Sequence, residues 1–197
     1  MIKATWMAAV FAVAATVQLA VPVGMIVQRE ATLRQGRAYK FRTRPVDPSD
    51  AFRGRYVWLG FEQDHAPWHG DALPVQGRKA YALIEESRDG YAVVQALTAK
   101  PPTTGEYLEV RVGYPGWGTN SGSTYFTLPF DRYYMEEGKA PAAERAYWQH
   151  QNRRGQTNEN TYAVVRIRNG DSVLENLYVG GKPIAELRHA DAADRGK

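Results

Sequence analysis

The sequence predicts a mainly β fold, a small β-sandwich or partly open barrel with one covering helix, preceded by an N-terminal transmembrane helix. Three observations carry this reading. An uncharged apolar run, Ala4 to Val27, opens the chain. Short segments of alternating polarity then recur between turns built on glycine. The 12 Tyr, 6 Phe and 5 Trp suit half-buried pleated surfaces, where rings pack well.

The apolar run comes first. At about 1.5 Å per residue it spans roughly 36 Å as a helix, enough to cross a hydrocarbon core of about 30 Å with some tilt. A cleaved signal peptide would carry a shorter apolar region ending in small-x-small, and Gln18 and Pro22 spoil the late candidates for such a site. An uncleaved anchor is therefore expected over residues 1–28, ahead of a β-rich domain at 29–187 and a loose charged tail at 188–197. Ala4, Ala8, Ala12, Thr16, Ala20 and Gly24 recur at every fourth position. Small residues at that spacing let a second helix approach closely, and the Gln18 amide would seek a partner in lipid.

Two signals for orientation conflict. Arg29, Arg34, Arg37, Lys40, Arg42 and Arg44 come after the helix, which by the positive-inside rule keeps the domain in the cytoplasm. The short lead before the apolar run is instead that of a signal-anchor, which exports the rest of the chain. The exported arrangement is the expectation.

Tyr39, Phe41 and Thr43 alternate with Lys40, Arg42 and Arg44 as a first strand with one polar face. In "PVDPSDAFRGRYVWLGFE", residues 45–62, two prolines forbid a central ladder. Ser49 or Asp50 can cap one helical turn, with Arg53 and Arg55 as charge partners of Asp47 and Asp50. Gly54 then permits the exit into a strand, residues 55–62, that is apolar on both faces. Lys79–Glu86 and Tyr91–Leu97 flank Asp89-Gly90, a pair that favours a primed hairpin turn. Tyr107–Tyr114 alternates cleanly, and Thr124–Leu128 is a further short strand. Pro141 suits a helix start and Gly155 its end, which gives the covering helix. "YAVVRIRNGDSVLENLYV" is a hairpin about Asn169-Gly170, and Gly180-Gly181 turns again toward a last short strand at "KPIAEL".

The stretch 45–62 also resembles the GDYXXLXY family of bacterial membrane-anchored proteins, through Gly54, Tyr56 and Leu59. Arg55 stands where the family has Asp, and Phe61 where it has its final Tyr. The resemblance extends to "QLAVPVGMIVQRE" and to the closing hairpin. It implies a bacterial inner-membrane protein with an N-terminal helix and a β-rich domain of unestablished activity. It further implies company with multi-spanning membrane proteins, and it brings no catalytic residues.

Candidate chemistry is thin. The chain has no cysteine, so disulfides, thiolate metal sites and Cys nucleophiles are excluded. In "DHAPWHGD", Asp64, His65, His69 and Asp71 offer metal-ligand types, but Pro67 keeps the two histidines from stacking at i, i+4 on a helix. The glycine-rich 113–124 lacks the Gly-Lys-Ser/Thr of a phosphate loop. No serine sits in a Gly-x-Ser-x-Gly elbow. A net charge of +4, mostly scattered, gives no basis for nucleic-acid binding.

What remains points to interaction without catalysis or a cofactor, with a membrane partner. Arg53, Arg55, Trp58, Phe61, Trp68 and Trp117 are the candidate contact residues of the domain. The rival readings are a membrane-tethered ligand-binding domain and, further off, a metal-dependent hydrolase using His65, His69 and Asp71.

Overall fold

In the computed structural model, residues 2–44, 56–70, 72–115, 122–134 and 161–184 are described. The fold is mostly β. Among the described residues one long helix, α1 (Ile2–Gln35), precedes two five-stranded antiparallel sheets and a two-stranded ladder. The strands are β1 (Arg37–Arg44), β2 (Tyr56–Trp58), β3 (Gly60–Phe61), β4 (His65–Pro67), β5 (Lys79–Glu86) and β6 (Ala92–Thr98). They continue as β7 (Glu106–Pro115), β8 (Ser123–Thr127), β9 (Arg132–Tyr134), β10 (Tyr162–Arg168), β11 (Asp171–Val179) and β12 (Lys182–Pro183). The first sheet runs β12-β11-β10-β1-β3 and the second β4-β8-β7-β5-β6, while β2 pairs with β9.

Alternation decides which faces meet. Tyr39, Phe41 and Thr43 of β1 are buried, as are Ala163, Val165 and Ile167 of β10. From the second sheet come Ala80, Ala82 and Ile84 of β5 and Leu108, Val110 and Val112 of β7. These faces form one apolar core. Phe41, Phe61 and Phe130 meet edge to face inside it, with centroids 5.1 to 6.2 Å apart. Such ring pairs add about 0.5–1.5 kcal/mol beyond their burial. Among the described residues no closed barrel forms. The second sheet curls until Trp68, just past β4, bridges Leu97 of β6, a single contact and not a ladder.

Three expectations change. The helix does not stop at residue 28 but continues to Gln35, because its last turns have a surface to pack on and Thr32 is fully buried there. The apolar stretch 55–62 is not one strand. It divides at Leu59, whose amide donates to the Asp131 carbonyl (2.8 Å), so that β2 joins β9 while β3 joins β1. The Asp89-Gly90 turn is not primed. Only Gly90 has a positive φ (79°), and its amide donates to the Ser87 carbonyl. That is a type I turn followed by a left-handed residue, the three-residue form of hairpin loop. His65–Pro67 forms an edge strand on β8, where Pro67 is tolerated because the edge needs no donor there. The covering helix, the 45–55 turn and the tail from 188 lie outside the described residues.

The β10–β11 turn is the primed hairpin that Asn169-Gly170 calls for, with φ of 50° and 85°. Its backbone also reaches the second sheet: the Glu109 amide donates to the Gly170 carbonyl (2.9 Å). A Cβ at Gly170 would lie 2.7 Å from Cε2 of Tyr107. Gly170→Ala therefore combines left-handed strain with overpacking, and should cost about 2–4 kcal/mol. Chemical unfolding of the full chain in detergent measures it; a loss below about 0.5 kcal/mol would show that the turn relaxes freely.

Candidate functional site

Length dictates the first feature of the site. α1 has 34 residues, about 51 Å, and is long and apolar enough to cross a membrane with its last turns to spare. Trp6, Phe11, Leu19 and Ile26 are exposed along it, as expected for a surface that faces lipid. The surplus turns lie on the β10–β11 hairpin. Arg29 Nη1 donates to the Ser172 carbonyl (3.1 Å), and the Gln28 amide donates to Oδ2 of Asp171. Glu30 and Arg34 pair along the helix at 2.5 Å.

The exit from the helix is equally fixed. The Gly36 amide closes on the Thr32 carbonyl (2.9 Å). A Cβ on Gly36 would collide with that oxygen and stand 3.0 Å from the Ile167 carbonyl. Arg166 donates to the Gly36 carbonyl and forks onto Glu175 at 2.7 and 3.3 Å. The helix is thus built onto the sheet, not tethered to it.

A cleft opens where helix and domain meet, with three adjoining parts that all include Arg29. One of about 200 Å³ is lined by Gln28, Arg29, Glu109, Pro129 and Asp171. One of about 530 Å³ runs along Pro129–Tyr134 and Ser172–Glu175. One of about 350 Å³ has the apolar wall Met25, Ile26, Leu33 and Val173.

A second feature is an aromatic and basic cluster around β1, β10 and β11. Register places Tyr162 opposite Tyr178, and their rings stack at 4.9 Å. Tyr91 meets Tyr162 edge-on at 5.8 Å. Arg42 lies 4.2 Å over Tyr91 and bonds Asp89, and Lys40 lies 5.5 Å over Tyr162.

The residues singled out from sequence are dispersed. Leu59 and Phe61 are buried in the core, and Tyr56 and Trp58 pair by backbone with Tyr134 and Arg132. Trp68 is half-buried, its Nε1 donating to the Ala72 carbonyl (2.7 Å). Gly54, Arg53, Arg55, Trp117 and Asp71, and the side chain of Ala4, lie outside the described residues. Asp64 accepts from Arg44 and meets His65 Nδ1, each at 2.7 Å, while the His69 amide donates to the Leu97 carbonyl. Among the described residues no three His, Asp or Glu side chains converge as a metal site would require. Ala8, Ala12, Thr16, Gln18, Ala20 and Gly24 are exposed on the helix, and Thr16 Oγ1 donates to the Ala12 carbonyl (2.8 Å). The junction itself was missed in the sequence, although Arg34 in a last turn with Gly36 beyond it is a helix-stop signal.

These contacts carry two predictions. Gly36→Ala should cost about 1–3 kcal/mol by overpacking and loosen the helix on the sheet. With spin labels at Leu19→Cys and Thr104→Cys, the distance distribution should broaden; an unchanged narrow distribution would show that Gly36 does not set the junction. The second concerns alkaline pH. Burial, then the rings of Tyr178 and Tyr91, raise the Tyr162 hydroxyl above its ordinary 10.0, and burial also raises Tyr39 and Tyr133. The unfolded chain loses these protons near pH 10 while the folded chain keeps them. Their contribution is full below pH 10 and is lost as pH rises through the higher folded-state values. Tyr162→Phe should flatten the decline in unfolding free energy above pH 10, and an equally steep decline would assign the effect elsewhere.

No curated protein and no solved structure matches the chain. A family model does, that of the GDYXXLXY protein, over residues 18–177, from the second half of α1 to β11. The second half of α1, the strands from β1 to most of β11 and the junction between helix and sheet fall inside that match, and the chain belongs to the GDYXXLXY family.

Proposed function

We propose that the chain is a non-enzymatic, single-pass accessory subunit whose helix and β-domain engage one multi-spanning partner in a bacterial inner membrane, with the domain on the outer face. One observation carries it. Pro22 lies inside α1 and has no N–H, so the Gln18 carbonyl lacks its usual helical donor. The Gln18 side chain adds an amide at the same level of a lipid-facing helix. Polar groups in hydrocarbon seek partners, and a neighbouring helix supplies them.

The small-residue row supports the same reading. A strict four-residue spacing advances about 40° per step on a helix, so the row winds around it. Such a shallow groove fits a partner crossing at about −40°, the right-handed geometry of small-xxx-small pairs. A helix fixed to its domain also presents both surfaces to a partner at once, at little further cost in entropy.

The basic residues after the helix fit an exported domain. Arg37, Arg42 and Arg44 belong to β1, where they face Glu86, Asp89 and Asp64. They are part of a folded domain, and domains translocate largely regardless of charge.

The test is recovery from the native membrane through a C-terminal tag. A multi-spanning protein should co-purify in fixed ratio, and Gln18→Leu should weaken its retention roughly 3- to 20-fold. Recovery of the chain alone, or retention indifferent to Gln18→Leu and to Ala8→Leu with Ala12→Leu, would refute the proposal. Because the chain has no cysteine, Thr104→Cys reports the side by labelling with an impermeant thiol reagent. Labelling in intact spheroplasts is expected, and labelling only after lysis would reverse the orientation.

A further inference from the structure

The cleft at the helix–sheet junction holds two charges that neutral groups keep apart. Among the described residues, Arg29 donates to the Ser172 carbonyl and Asp171 accepts from the Gln28 amide. Both side chains line the same part of the cleft, and no ion pair joins them. Glu30, next to Arg29, is engaged by Arg34, and Glu109 by Lys79. A cation and an anion side by side, each bound to a neutral partner, complement a ligand that carries both signs.

Position narrows the ligand further. Arg29 is the first charged residue after the apolar run, so it stands where hydrocarbon gives way to headgroups. Met25, Ile26, Leu33 and Val173 form the adjoining apolar wall, continuous with the lipid-facing helix. A charged pocket at headgroup level that opens onto an apolar groove fits an amphiphile, not a free metabolite.

We propose that this cleft binds one zwitterionic phospholipid of the phosphoethanolamine class. The Arg29 guanidinium holds the phosphate by charge-assisted hydrogen bonds, and the Asp171 carboxylate accepts from the primary ammonium. One acyl chain lies against Ile26 and Val173. The bound lipid becomes part of the joint and fills space between helix and domain. The proposal rests on the membrane-anchor reading of α1.

The experiment uses the full chain in nanodiscs of equal parts phosphatidylethanolamine and phosphatidylglycerol. Gentle detergent release and native mass spectrometry then count the lipids retained. One phosphatidylethanolamine should be retained in preference to phosphatidylglycerol, and Arg29→Gln and Asp171→Asn should each cut retention roughly tenfold or more. Asp171→Asn keeps an acceptor for Gln28 and the hairpin turn, so it carries the test should Arg29→Gln fail to fold. Preferential retention of phosphatidylglycerol, no retained lipid, or retention indifferent to both substitutions would overturn the proposal while leaving the anchor intact. A chain that does not enter the discs would overturn the anchor and the lipid site together.

Discussion

The turn at Asn169-Gly170 is the constraint on which the rest of the structure depends. Its two left-handed residues close β10 on β11 in register. Its carbonyl takes the Glu109 amide of the opposite sheet. The two residues after it, Asp171 and Ser172, receive the C-terminal turns of α1. One tight turn therefore joins both sheets and the anchor. Glycine is required for two separate reasons, the sign of φ and the Tyr107 ring against it, and no other residue type meets both.

The charged residues around this joint play a different part from the core. The pairs Arg37–Glu86, Arg42–Asp89 and Arg44–Asp64 are largely exposed, and solvent screening leaves such pairs little weight in stability. They do not hold the fold together; Phe41, Leu108, Val165 and Leu177, all fully buried, do that. Their effect is on placement. A basic row beside a membrane helix reads as a cytoplasmic flank when it is free. Here Arg37, Arg42 and Arg44 lie on β1, between β10 and β3, and their acids come from β5, from the β5–β6 turn and from Asp64 just after β3.

The same distinction explains what could be read from the sequence. β1, β5, β7 and the β10–β11 hairpin were legible because a buried face writes period two into adjacent residues, and Asn-Gly names its own turn. β4 and β9 were not, since three residues contain no period and their pairing is decided by distant partners, Tyr125 and Tyr56. Leu59 and Phe61 were legible as apolar but not as the place where the chain changes ladder, because that depends on the Asp131 carbonyl. Hydropathy marks the end of the uncharged run at residue 28, whereas the helix continues to Gln35. The cleft could not be seen at all: Arg29, Glu109, Pro129 and Asp171 share no local pattern and meet only through the sandwich.

The polar groups of α1 occupy two levels, and the level decides what chemistry can meet them. Gln18 and Pro22 lie within the uncharged run, and on the proposed membrane reading their polar groups meet another helix and not water. Arg29 lies about eleven residues beyond Gln18, roughly 16 Å along the axis, which on the same reading is the depth of phosphates and ammonium groups. The proposed protein contact at the first level and the proposed lipid at the second do not compete for the same surface. They cooperate through stiffness: whatever fixes the joint at Arg29 also fixes the direction in which Gln18 faces. A helix that could swivel on its domain would spend binding energy on being ordered, whereas one locked by Thr32, Gly36 and the Gly170 turn has already met that cost on folding.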